Sequence, residues 1–162
     1  MVDCYISSGE IKRKIRNLKK LELKIRFHID NFQESNSRLE MLSKENNIKL
    51  VWDEFFDLHE NSSKEVRFPL KKLLNLNRED LKNIISEFYY RVFYQYYKDN
   101  GMFNMSLYDP DILSQLGLPY DADINAIKKR FRELAKLYHP DAGGDEEKFI
   151  ELLEQFEALG MK

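Results

Sequence analysis

Apolar residues recur at steps of three and four along most of this chain, with polar residues between them. That period puts the apolar set on one face of a helix, whereas a strand would need strict alternation. From Glu10 to Phe32, residues Ile11, Ile15, Leu18, Ile25, Ile29 and Phe32 keep it, with Leu21 nearby; a long helix is predicted, capped by Ser7 or Ser8. Residues 33–47 are polar, with a short helix expected around Arg38 to Lys44 and a break at Asn46-Asn47. Val51, Trp52, Phe55 and Leu58 again share helical spacing, in a run short enough to be partly extended. Glu60 to Lys64 reads as a loop, and Val66 to Leu70 leads into a helical turn, because Pro69 bars a helix interior there. Arg78 to Lys98 is the clearest amino-terminal helix. Asn77 caps it, Asp80 occupies its third position, and Asn100-Gly101 stops it. Leu81, Ile84, Ile85, Phe88, Tyr89, Val92, Phe93 and Tyr96 form its stripe. Tyr90, Tyr94 and Tyr97 flank that stripe, so more than one neighbour is expected: the first helix, the Trp52 region, the carboxy-terminal part or a second subunit.

The carboxy-terminal third carries a sharper pattern. Ile127, Phe131, Leu134 and Tyr138 make one face of a helix over 124–138, capped by Asp123 and bordered by Ile124 and Ala135. Lys128, Lys129, Arg132 and Lys136 fall on the other side, with Arg130 at its edge. His139-Pro140-Asp141 follows at once. Proline lacks the N–H needed to continue the helix and pushes His139 out of helical geometry. Asp141 then presents an acceptor-only carboxylate at an exposed corner, suited to an arginine on another protein. Gly143 and Gly144 are read as permitting backbone conformations closed to other residues. Beyond them Asp145, Glu146 and Glu147 favour a helix start, and Phe149, Leu152, Leu153, Phe156 and Leu159 form its stripe. Two stripes joined by a short loop predict an antiparallel helical hairpin.

These residues resemble the J domain of the DnaJ co-chaperone family. Asp109 to Pro119 matches the family's helix I, with Pro110 at a first helical position and Gly117 as the closing cap. Residues 124–138 match helix II, and Glu146 to Leu159 matches helix III, with Lys148-Phe149, Leu152, Phe156 and Leu159 at core positions. The resemblance covers about the last third of the chain. It implies binding to a DnaK-class heat-shock ATPase and stimulation of its ATP hydrolysis, coupled to client capture. On that basis His139, Pro140 and Asp141 would trigger the ATPase. Lys128, Lys129, Arg132 and Lys136 would meet an acidic surface of the chaperone, chiefly to speed and orient encounter. Phe131 stands where many members have tyrosine, and Glu133 where a basic residue is common. The sequence stops at Gly160-Met161-Lys162 without the family's helix IV, and has no Gly/Phe-rich linker or zinc-binding cysteine pairs. The expectation is a J-domain-only protein with its own extension.

Composition bounds the rest. A chain of 162 residues with 43% hydrophobic content is enough for one or two small cores. We expect a mainly α protein: a helical domain of unrecognised family over 1–108, then a J domain over 109–162. Charge is segregated, with a net +3 in 1–108 and −5 in 109–162. Neither balance demands nucleic acid. Cys4 is the only cysteine, which excludes an internal disulfide or cysteine-based zinc site. No signal-peptide core or membrane span is visible, giving a cytoplasmic expectation. His28 and His59 are isolated and are read as ordinary surface or boundary residues. No metal-ligand cluster, phosphate-binding glycine loop or nucleophile motif appears, so neither cofactor nor catalysis is expected. The first helix, rich in Lys and Arg, is read as a solvated face. The sharper alternative is contact with an acidic partner, nucleic acid or membrane surface. The functional expectation is a co-chaperone whose amino-terminal region selects a client or partner. The alternative is an interaction or scaffold protein with a degenerate J domain.

Overall fold

A computed structural model of the chain describes residues 7–29, 49–102 and 107–161. The expected helix around Arg38 to Lys44 lies outside them. Among the described residues there are seven α-helices, one two-stranded sheet and one short 3-10 turn. The chain divides into two units, Met1–Gly101 and Met102–Lys162.

In the first unit, α1 runs Ser8–Phe27. Ser7 accepts the N–H of Glu10, and the Glu10 carboxylate accepts the N–H of Ser7, so two orphan donors are satisfied reciprocally. The helix ends earlier than its periodicity predicts. His28 takes a left-handed conformation (φ 55°), and its N–H closes on the carbonyls of Leu23 and Lys24. Ile29 therefore joins the core from outside the helix, and Phe32 lies beyond the described residues. Helix α2 (Val51–Phe55) leads into strand β1 (Phe56–Asp57). Strand β2 (Phe68–Pro69) pairs with it in parallel, Phe56 opposite Phe68, and α3 (Leu70–Leu74) follows directly. This small sheet gives no signal in the sequence, because two residues are too few to show alternation. Helix α4 (Arg78–Asp99) is capped by Asn77, whose side chain accepts the N–H of Asp80 at 2.7 Å.

Ile11, Ile15 and Leu18 of α1 meet Leu81, Ile84, Phe88 and Val92 of α4 in one core with Phe55, Phe56, Phe68 and Leu73. The neighbours of the aromatic helix are thus α1 and α2. Phe55, Phe56, Phe68 and Phe88 interlock, their closest ring centroids 5.5 to 6.2 Å apart and inclined. Inclined rings set electropositive edges against electronegative faces, worth about 0.5–1.5 kcal/mol per pair beyond burial. Phe93 is a departure from the predicted stripe: it is exposed.

One buried charge organises this unit. Glu22 of α1 is fully buried. Its Oε1 accepts the N–H of Val51 (2.7 Å) and the guanidinium of Arg26 (2.7 Å), and its Oε2 accepts the N–H of Trp52 (2.8 Å). Helix α2 has no side-chain cap of its own at Leu50, so a carboxylate from another helix caps it. Arg26 also binds Asp99 at 2.8 Å and the Lys49 carbonyl at 3.2 Å, tying the ends of α1 and α4 together. Burial pushes the Glu22 carboxyl up, and its bonds to Trp52, Arg26 and Val51 oppose that rise.

In the second unit, α5 (Pro110–Gln115) starts at Asp109, which accepts the Asp111 N–H. Gly117 (φ 71°) follows it in the left-handed conformation, and the N–H of Leu118 returns to the Leu113 carbonyl at 2.8 Å. Helices α6 (Ile124–Tyr138) and α7 (Glu146–Ala158) pack as a pair. Leu113 and Leu116 of the first segment, Ile127 of α6, and Leu152, Leu159 and Met161 close the core. Leu153, predicted for the apolar stripe, is 45% exposed.

Candidate functional site

The corner between α6 and α7 is built by backbone chemistry first. Asp123 accepts the Ala126 N–H at 2.7 Å and Asp145 the Lys148 N–H at 3.2 Å, so each arm starts at a side-chain cap. The middle of α6 and the last turn of α7 are locked together by Phe131 and Phe156, stacked with centroids 4.0 Å apart. At the end of α6, His139 adopts an extended ψ of 127°, as a residue before proline should. Pro140–Ala142 then form a single 3-10 turn that buries no residue. The His139 carbonyl accepts from both Ala142 and Gly144 at 3.0 Å, and the Pro140 carbonyl from Gly143 at 2.9 Å.

The two glycines have different reasons. Gly143 has φ 77°, a conformation that Cβ disfavours. Gly144 is needed for space: a Cβ there would lie 2.4 Å from the Tyr138 carbonyl carbon. The conformational reason expected for both holds only for Gly143.

On this frame the Asp141 side chain is 93% exposed and the His139 side chain 46%. The Asp141 N–H donates to His139 Nδ1 at 3.2 Å, which assigns the proton of a neutral ring to Nε2. The ring is held edge-on to Phe149 of α7, centroids 5.2 Å apart. The imidazole is thus positioned from both sides of the corner, while the carboxylate, its Oδ2 3.8 Å from His139 Nδ1, projects into solvent. Phe149 was legible only as a core residue. Its contact with the imidazole depends on how tightly the loop folds back.

Lys128, Lys129, Arg132 and Lys136 are all exposed on α6. Among the described residues none of the four forms an ion pair; Arg132 Nε donates to the Lys128 carbonyl at 3.1 Å. Arg130 is different. Its Nε donates to the Leu116 carbonyl at 2.9 Å, satisfying the end of α5, and its Nη1 pairs with Glu133 Oε2 at 3.3 Å. Glu133 is therefore engaged by its own helix. Leu137, which the sequence reading passed over, is 64% exposed and lies one turn beyond Glu133. Its helical phase alone would have revealed it.

A family model for the DnaJ domain matches residues 111–162. Residues 111–162 are a J domain. Over 49 residues the chain is 57% identical to a tetratricopeptide-repeat and J-domain-containing co-chaperone of Cryptococcus neoformans, covering 30% of this chain and 9% of that protein. A segment of 54 residues is 52% identical to the chaperone protein DnaJ of Campylobacter hominis, covering 31% of this chain and 15% of that one. The DnaJ of Lachnospira eligens is 53% identical over 52 residues, covering 32% and 14%. The matches thus span less than a sixth of these relatives' length. No solved structure is a significant match to the chain. Among the described residues, no helix is long and apolar enough to cross a membrane, and no group of His, Cys, Asp and Glu side chains is placed to hold a metal ion.

Proposed function

We propose that this chain is a co-chaperone, not an enzyme, that binds a DnaK-class ATPase and stimulates its ATP hydrolysis. His139, Pro140 and Asp141 are its trigger. Lys128, Lys129, Arg132 and Lys136 are the face that meets an acidic surface of the chaperone, and residues 1–108 give client or partner specificity. The cytoplasm is the compartment this reading implies. The observation that carries it is the exposed Asp141 carboxylate beside a braced imidazole, on a paired hairpin of J-domain sequence. A carboxylate this exposed, with only the His139 ring nearby at 3.8 Å, suits bidentate pairing with an arginine. The four unpaired cations add a field that raises encounter rate and sets orientation.

The test is single-turnover ATP hydrolysis by a DnaK-class protein with the full chain added. His139→Gln should abolish stimulation at unchanged helical content, because the 3-10 turn buries nothing. Equal stimulation by that variant would reject the assignment.

One observation favours a second reading. Glu133 puts a negative charge beside the cations of α6, where the resemblance leads one to expect a basic residue. If that charge defeats docking, the chain is a scaffold with a degenerate J domain. Glu133→Lys would then restore stimulation that the natural chain lacks.

A further inference from the structure

The first unit holds a cavity of about 750 Å³ between α1, the α2–β1 segment and the loop over 58–64. Its rim carries Arg13, Arg16 and Lys64, all exposed. Among the described residues no ion pair joins any of the three. Trp52 and Leu58 supply apolar wall. Asp57 also lines it and is 4% exposed. Its Oδ1 accepts the His59 N–H at 2.9 Å and lies 2.6 Å from the His59 ring. Its Oδ2 is buried and has no hydrogen-bond partner. The Ser62 hydroxyl, then the His59 N–H, hold this carboxyl down to about 2, so it is charged at neutral pH, yet neither reaches Oδ2 in hydrogen-bond geometry. A buried charged oxygen without a donor is costly, and a ligand that supplies the donor recovers that cost.

We infer that this cleft docks an extended acidic peptide segment of a client or partner. Such a segment brings all three things the cleft lacks. Its carboxylates meet Arg13, Arg16 and Lys64, a main-chain N–H reaches Asp57 Oδ2, and an apolar side chain covers Trp52 and Leu58. A nucleic acid supplies phosphates but reads aromatic groups by stacking on an open face. Here the Lys19 ammonium sits over the Trp52 ring at 4.5 Å, the indole N–H is fixed to the Ile15 carbonyl at 2.8 Å, and the ring leans on Phe56. The inference deepens the reading of the amino-terminal region as the client-selecting part, and rests on it.

Trp52 is the chain's only tryptophan, so its emission reports the cleft directly. The full chain is titrated with a short peptide alternating glutamate and leucine, with the same peptide carrying lysine for glutamate, and with a single-stranded oligonucleotide. The acidic peptide should shift Trp52 emission saturably, and the lysine peptide should not. The double variant Arg13→Glu, Arg16→Glu should weaken acidic-peptide binding roughly tenfold or more, at unchanged circular dichroism and thermal midpoint. No saturable shift, or equal affinity in the variant, overturns the inference; so does tighter oligonucleotide binding lost in the same variant, which would make the cleft a phosphate groove. The variant's ATPase stimulation without client should match the natural chain. Stimulation without peptide binding sinks the cleft alone, and peptide binding without stimulation sinks the co-chaperone reading alone.

Discussion

The two glycines of the corner separate two kinds of constraint that look identical in sequence. Gly143 pays a conformational requirement, and a residue tolerant of left-handed backbone satisfies it. Gly144 answers a packing requirement that no side chain satisfies, because the Tyr138 carbonyl occupies the space. Gly143→Asn should therefore cost about 1 kcal/mol or less. Gly144→Ala should cost roughly 1–3 kcal/mol through forced backbone movement. Urea unfolding of both variants checks this. Similar midpoints for the two would show that the close approach to Tyr138 does not constrain the loop. His139 illustrates the same distance between sequence and site. Its identity and its place before a proline were legible, and its hydrogen bond to Asp141 and ring contact with Phe149 were not. Those depend on residues two and ten positions away meeting around a fold-back.

At the scale of elements, most helices declared themselves through spacing and caps, and the exceptions have particular causes. Helix α1 stops at Phe27 although Ile29 continues the apolar period, because His28 turns left-handed and the apolar face is then completed from outside the helix. Helix α2 shows the reverse. Its spacing was readable, but its cap, Glu22, sits on another helix. A carboxylate nearly thirty residues from the helix it caps leaves no local signature. The prediction follows from its geometry. Glu22→Ala leaves the Val51 and Trp52 N–H groups without their acceptor and removes one partner of a buried Arg26, so it should cost about 3–5 kcal/mol. Glu22→Gln should also destabilise, since one of its two terminal positions becomes a donor facing donors. Denaturant unfolding of both variants measures the loss, and a near-neutral Gln variant would show that the carboxylate is not the cap.

Across the whole molecule, a mainly helical fold and a carboxy-terminal J domain were legible, because a tripeptide and two amphipathic helices report them together. The cleft was not. It needs Arg13 and Arg16 of the first helix beside a loop some fifty residues later, and the unit is closed by a two-residue strand pair that no periodicity announces. Basic charge on the first helix was visible, and its preferred reading as a solvated face holds for Arg13, Lys14, Arg16, Lys20 and Lys24, which are exposed, but fails for Arg26, whose side chain is buried against Glu22, and for Lys19, which pairs with Asp53; what the exposed ones surround was hidden. Among the described residues each core draws only on its own unit. Ile15→Ala and Ile127→Ala each empty a fully buried site and should each cost about 2–5 kcal/mol. Hydrogen exchange should place the first loss in residues 7–101 and the second in 107–161. Loss of protection throughout the chain from either change would show that the two cores melt as one.

The turn over Pro140–Ala142, the trigger of the proposed function, contributes no buried residue to the domain that displays it. Alleles altered there would thus escape proteolytic quality control and accumulate at normal abundance. On the proposed function, a cell carrying both copies would hold inert molecules that still occupy clients at full strength. Such alleles would act as dominant poisons, while core lesions, cleared as they misfold, would be recessive.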